Sequence, residues 1–331
     1  MRRFTRILLV ENPASTRSAS LQKAVLLAKN HQASLTICAV VEPAPSVMRK
    51  VGSFPTPAKM LALAVEEKRD QLAKIAAELV ETGISIECQV LVGKPFLEIT
   101  RRVRENSHDL VIKDAEGALG LKGMIFGSTD MNLMRVCPCP VWIVKSKGDI
   151  RVRRILAALD RDVEDSKDFA EDELNRRMLE MATTLALAEF SELHIVHAWR
   201  LEYESYLRSP RMGLSKEEVD SMAEEEKAER TQWLENLVNT FGTSSDRDAT
   251  VHLEPQLHVT KGDARRVVPA TARDLDIDLV VVGTASRTGM PGFFIGNTAE
   301  SILNQIDCSV LTIKPPAFVG PFDRLQTEME S

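Results

Sequence analysis

The stretch from Asp109 to Lys145 aligns without a gap with the stretch from Asp278 to Lys314, at a constant spacing of 169 residues. Gly93 and Gly262, Gly127 and Gly296, and Cys139 and Cys308 keep the same spacing. A period this long exceeds any solenoid unit and means a duplicated domain. The 331 residues, set against a usual ~150 per domain, agree with two copies, each large enough to bury a core.

Each copy alternates short β-branched runs with stretches of helical period. In the first, the runs Ile7 to Val10, Leu35 to Val41, Ile84 to Val92, Leu110 to Ile112 and Val141 to Val144 predict strands. Helical stretches at Ser18 to Lys29, Ala58 to Val80, Phe96 to Arg104 and Asn132 to Val136 separate them. The second copy repeats the order, with strands near Ile155 to Leu159, Leu193 to Ala198, Val251 to Val259, Leu279 to Val282 and Val310 to Ile313. Continuous apolar strands between helices predict a parallel sheet covered on both faces. The fold class is therefore α/β: two tandem five-stranded parallel, Rossmann-like domains, at 1–148 and 149–316, with a C-terminal tail at 317–331. Ile7 matches Ile155 at a spacing of 148 and Gly93 matches Gly262 at 169, so the second copy carries 21 extra residues between these points. They are expected around Leu201 to Arg230, as a solvated acidic helix or as a flap over a ligand pocket.

A formal charge of −6 gives no field for a polyanion, which argues against nucleic-acid binding. The apolar run after the basic start ends at Glu11, too short for a leader, and no stretch nears the ~20 apolar residues of a membrane span. A cytoplasmic protein without membrane contact is expected. Five cysteines are few and odd in number, against a disulfide scaffold. Cys137 and Cys139 lack a second ligand pair at finger spacing, so buried thiols rather than a metal site are expected. His194 and His197 fall on opposite faces of one strand and cannot pair.

Gly283 closes the fourth strand of the second copy and begins GTASRTGMPGFFIGNTAE, four glycines ending at a helix start. Glycine lets backbone approach a ligand closely, and a helix N-terminus offers N–H groups to an anion, so the pattern suits a phosphate cradle. Asn297 and Glu300 have the spacing of a capping box, and a merely structural loop stays open as the other reading. If the strand order is 3-2-1-4-5, the ligand crevice lies where the order reverses, between Leu159-Asp160 and Gly283.

These residues resemble the universal stress protein family in its tandem, E-type form. The family carries Gly-x2-Gly-x9-Gly followed by Ser, Thr or Asn, with an Asp at the end of strand one; here the frame is Gly283-x2-Ser286-x9-Gly296-Asn297 with Asp160. CPCPVWIVK, CSVLTIK and GNTAE also look like this family, and the resemblance spans the chain up to Pro316. It implies an adenine nucleotide, ATP or AMP/ADP, in the second domain, with magnesium left open. Ala158, Leu159 and Ala198 would lie by the adenine and Asp160 by the ribose, with Val282 also among the nucleotide-binding residues. Gly283, Ser286, Arg287, Gly296, Asn297 and Thr298 would meet phosphates, Arg287 as a guanidinium that forks onto phosphate oxygens. Ser286 departs from the family's middle glycine: at positive φ its backbone would resist and its Cβ would narrow the approach, whereas at negative φ its hydroxyl could donate to a phosphate, which puts triphosphate behind AMP or ADP.

The first copy reads Asp114-x2-Gly117-x9-Gly127-Ser128, with Asn12 at the end of strand one. Asp114 and Glu116 would repel phosphate, so no cofactor is expected there. The fifth strands, Val141 to Val144 and Val310 to Ile313, offer apolar edges that invite pairing within the chain as a pseudo-dimer, or between chains as a homodimer. The resemblance implies a stress-response protein that signals through conformation or partner binding. A slow ATP hydrolase is one alternative, without a P-loop or a clear acid/base pair to favour it. The other is a scaffold or carrier of an apolar ligand, suggested by Phe293 and Phe294.

Overall fold

The structure is a computed structural model. It describes residues 4–11, 18–43, 56–116, 119–120, 123–124, 126–145, 150–161, 169–242, 253–284, 295–315 and 318. The described residues group into two compact units, one within Arg151–Gly283 and Asn297–Ile306, the other within Arg3–Ile150, Thr284–Gly296 and Asp307–Ser331.

In the unit built on the first copy, β1 (Arg6–Val10), β2 (Ser34–Val41), β3 (Ile86–Val92), β4 (Leu110–Asp114) and β7 (Val141–Val144) alternate with α1 (Ala19–His31), α2 (Pro57–Glu78), α3 (Pro95–Glu105) and α4 (Ser128–Val136). Between β4 and α4 lies the short hairpin of β5 (Leu119–Gly120) and β6 (Gly123–Met124). The strand order is β3-β2-β1-β4-β7, all parallel, which is the 3-2-1-4-5 order. Ile7, Leu8, Leu9, Val111, Ile112, Val141 and Trp142 are all buried, since strands covered on both faces must be apolar throughout.

The other unit holds β8 (Arg154–Leu159), α5 (Phe169–Glu189), β9 (Glu192–Trp199), α6 (Glu204–Leu207), α7 (Lys216–Leu237), β10 (Gln256–Lys261), α8 (Ala264–Asp274), β11 (Leu279–Gly283) and α9 (Asn297–Leu303). Its strands run β10-β9-β8-β11, again parallel. Beyond the start expected at Val251, the strand begins only at Gln256, and residues 251–252 lie outside the described residues. The last strand of the second repeat, β12 (Ser309–Ile313), belongs to the first-copy unit and pairs antiparallel with β7, Val310 beside Ile143 and Leu311 beside Trp142. The two apolar fifth strands thus meet within one chain.

Several repeated residues have structural causes. Asp109 and Asp278 each staple the start of strand one to the start of strand four: Asp109 accepts from the backbone N–H of Thr5 at 2.7 Å, and Asp278 from that of Arg153 at 2.7 Å. Gly93 and Gly262 follow the third strands with φ of +146° and +154°, a conformation that side chains resist, and a Cβ there would come within 2.8 Å of Glu98 or Val267. Pro269 inside α8 cannot donate to the Arg265 carbonyl, and the Gln305 amide takes that acceptor instead at 3.0 Å.

The extra residues of the second copy are not where the sequence suggested. Ile7 is level with Leu35 and Ile155 with Leu193, separations of 28 and 38, so ten extra residues lie between strands one and two. α2 and α7 are both 22 residues long and are counterparts. Leu35 to Gly93 spans 58 positions and Leu193 to Gly262 spans 69, so the other eleven lie between the second strand and the end of the third, one before α7 and ten after it. A charge run had suggested an insertion, but α7 packs on β9 and β10 as an ordinary crossover helix. Its acidic outer face is exposed while Val219, Arg230 and Leu234 are buried.

Candidate functional site

β8 lies between β9 and β11, with Ala158 level with Val196 on one side and Val282 on the other. The strand order reverses there, and in open parallel sheets the ligand crevice opens at the carboxyl ends beside such a reversal. Leu159 ends β8 and Asp160 follows it; Gly283 ends β11, and Ala198 stands one residue before the end of β9. Ala158, Leu159, Asp160, Ala198, Val282 and Gly283 are thereby gathered at three neighbouring strand ends in one compact unit. Asn297 and Thr298 open α9 in the same unit, while Gly296 belongs to the other. Ser286, Arg287, Phe293 and Phe294 lie outside the described residues.

The backbone at the end of β8 is fixed by side chains that sequence reasoning missed. His197 Nδ1 lies 3.2 Å from the Leu159 carbonyl. A carbonyl only accepts, so Nδ1 carries the proton in this bond. Asn175 donates to the Asp160 carbonyl at 2.8 Å and accepts from the Asp160 N–H at 3.4 Å. Arg230 donates to the Arg161 carbonyl at 3.2 Å and pairs with Glu226 on its own helix. Trp233 lies against the His197 ring at 4.9 Å, with the Arg161 guanidinium 5.9 Å from its centroid. Burial holds the His197 imidazole below its ordinary value, so it is neutral near pH 7. Its Nε2 is buried without a hydrogen-bond partner among the described residues.

Gly283 has a packing role. A Cβ there would come within 2.8 Å of Leu174 and 3.1 Å of Met178, both on α5. The glycine at this place lets α5 close on the strand end.

The matching place in the first copy is built from charge. Asp114 ends β4 and accepts from the Ser20 N–H at 3.1 Å and its hydroxyl at 2.9 Å. Ser20 lies 3.1 Å from the hydroxyl of Ser18, which donates to Glu11 at 2.9 Å. Glu11 is 4% exposed. Desolvation, with Asp114 nearby, raises its pKa to about 7 against the Ser18 hydrogen bond. Lys113 donates to Asp130 at 2.9 Å and pairs with Glu116 at 3.2 Å. Asp130 is fully buried and accepts from the backbone N–H groups of Glu116 and Gly127 at 2.8 and 3.0 Å. Glu116 in turn accepts from the Thr129 N–H at the start of α4, at 3.3 Å, so its carboxylate holds the helix N-terminus that would attract an anion. Asp114 and Glu116 stand where the sequence reading put negative charge; Glu11, Lys113 and Asp130 were not foreseen, having no spacing that marks them. Asn12 and Gly117 lie outside the described residues.

Residues 3–145 and 152–314 each match the model of the universal stress protein family. The chain belongs to the universal stress protein family. It is 30% identical over 263 residues to Universal stress protein E of Salmonella typhi, covering 78% of each chain. Against the Universal stress protein E homolog of Haemophilus influenzae it is 27% identical, covering 95% of this chain and 98% of that one. In fold it is similar to a putative universal stress protein from Pseudomonas aeruginosa, with a TM-score of 0.70 at 24% identity, covering 99% and 96% of the two chains. Membership of a family matched twice in tandem supports a role in the stress response. Among the described residues no group of three or more His, Cys, Asp or Glu is arranged to hold a metal, and no helix is long and apolar enough to cross a membrane. Cys137 and Cys139 are buried free thiols with their sulfurs 3.6 Å apart.

Proposed function

We propose that this universal stress protein binds an adenine nucleotide, as ATP, ADP or AMP, at the carboxyl ends of β8, β9 and β11, and acts through conformation presented to a partner. What carries the reading is Asp160 at the reversal of strand order, its backbone N–H and carbonyl both bonded to Asn175. A carboxylate held in this way suits the vicinal hydroxyls of a ribose. Supporting it, the second copy has Val282, Gly283 and Ala299 where the first has Lys113, Asp114 and Asp130, so no ion network occupies the corresponding positions. Turnover is not part of the proposal, because no general acid and base converge beside Asp160 among the described residues.

Thermal-shift titration with ATP, ADP and AMP tests it. A ligand at 100 times its dissociation constant adds about 2.7 kcal/mol of stability. Asp160→Ala should abolish the shift and Asn12→Ala should leave it intact. Equal loss in both variants would overturn the one-site reading, and no shift with any of the three nucleotides would overturn nucleotide binding. Steady phosphate release that depends on Asp160 would make the protein a hydrolase instead.

A further inference from the structure

Leu159, Asp160 and Arg161 present three consecutive backbone carbonyls, and each is held by a side chain from a different element. The donors are His197 of β9, Asn175 of α5 and Arg230 of α7, and they are only 1%, 3% and 4% exposed. Strand ends usually leave such carbonyls to water or to neighbouring backbone. Buried donors that lost these partners would be left without water to replace them, so the peptide cannot shift without disturbing all three elements.

We infer that His197, Asn175 and Arg230 are positioning residues for Asp160, and that their clamp couples occupancy of the Asp160 site to helix α7. The inference rests on the nucleotide reading above and concerns how that site is read out. A ligand held by the Asp160 carboxylate restrains the same three-residue peptide. Arg230 carries the restraint into α7, where it is also tied to Glu226 at 2.5 Å. Trp233, on the same helix, touches both His197 and Arg161, so two α7 residues bear on the clamp. The first copy lacks these parts. Leu35 and Leu193 share one register place, which puts Ala39 where His197 stands. α2 and α7 share one length, which puts Gln71 where Arg230 stands, and among the described residues the Gln71 side chain bonds Glu67 alone, the counterpart of Glu226. The outer face of α7, with Glu217, Glu218, Glu224, Glu225 and Glu229 exposed, is where a change in this helix would meet a partner. Ordering on binding is a recognised route for such coupling, and amide exchange reads it directly.

The test is hydrogen–deuterium exchange on the full chain, with and without saturating ADP. In the wild type, ADP should slow exchange at the ends of β8 and β11 and, several-fold, across residues 226–234 of α7, while α2 of the first copy stays unchanged. In Arg230→Gln, at ADP concentrations that saturate the variant, the strand ends should still be protected and α7 should not; the dissociation constant should rise several-fold. Unchanged α7 exchange in wild type beside protected strand ends would overturn the coupling and leave nucleotide binding standing. Retention of α7 protection in Arg230→Gln would also overturn it. Absence of any ADP binding to the wild type would remove the functional reading and this inference together. Should Arg230→Gln fail to fold, Arg230→Lys serves in its place, and the wild-type comparison is decisive by itself.

Discussion

Asp114 and Gly283 hold one place in the two copies, at the end of the fourth strand, yet their surroundings have opposite character. Asp114 is bonded to Ser20, and through Ser18 the chain of contacts reaches Glu11. Gly283 is met by the apolar side chains of Leu174 and Met178. Behind Asp114 the first copy adds Lys113, Asp130 and Glu116, and the last of these bonds the N-terminus of α4. In the second copy the polar contacts lie one strand away, on the backbone of Leu159, Asp160 and Arg161. Both copies satisfy buried polar groups, but the first does so across its crevice and the second beside it. A duplicated fold can thus keep its sheet while one crevice is filled by the protein's own ions, because the sheet depends on apolar strands and the crevice only on residues past their ends.

The largest effect expected from breaking this contrast is at Asp130. Asp130→Ala removes the buried partner of Lys113, leaving it only Glu116 and the Asp114 carbonyl, and frees two backbone donors, and should cost about 3 kcal/mol; denaturant unfolding will measure it, and a loss below that of a typical surface change would mean the network is not structural. Next comes nucleotide stabilisation, about 2.7 kcal/mol at 100 times the dissociation constant, sensitive to Asp160 and not to Asn12.

Glu11 gives the third. Its pKa is raised from 4.5 to about 7, so between those values the folded chain holds a proton that the unfolded chain releases. The stability it contributes is full below 4.5 and is lost as pH rises through about 7. Relative to Glu11→Gln, the wild type should therefore lose on the order of 2 kcal/mol between about pH 4 and about pH 8; a pH-independent difference would remove the buried-carboxyl account. The histidines oppose this trend on the acid side: burial lowers His197 and His258, which costs stability as pH falls below their ordinary 6.5. Subtracting the variant's curve isolates Glu11.

The smallest effect sharpens the comparison most. Glu116→Ala should cost about 1 kcal/mol through loss of a helix cap. It also exposes the α4 N-terminus and Lys113, so inorganic phosphate should restore stability in this variant and not in the wild type. Phosphate that stabilises both proteins equally would show that Glu116 does not act as the internal anion.

Duplication and the α/β class were legible in the sequence, because an apolar strand or a helical stripe is a property of neighbouring residues; the 3-2-1-4-5 order came only with the family resemblance, because order depends on which distant strands pair. The gathering of Asp160 and Gly283 came with it, since strand ends and strand order together fix which residues share a crevice. The place of the extra residues was misread: composition marks a charged helix but not whether its counterpart exists, which only the strand registers revealed. What tertiary structure alone decided is which polar groups meet. Ser20 reaches Asp114 across 94 positions, His197 reaches Leu159 across 38 and Arg230 reaches Arg161 across 69. No local pattern encodes such partnerships. They arise because burial removes water, and a buried donor must then be met by whatever acceptor the packed chain brings within reach.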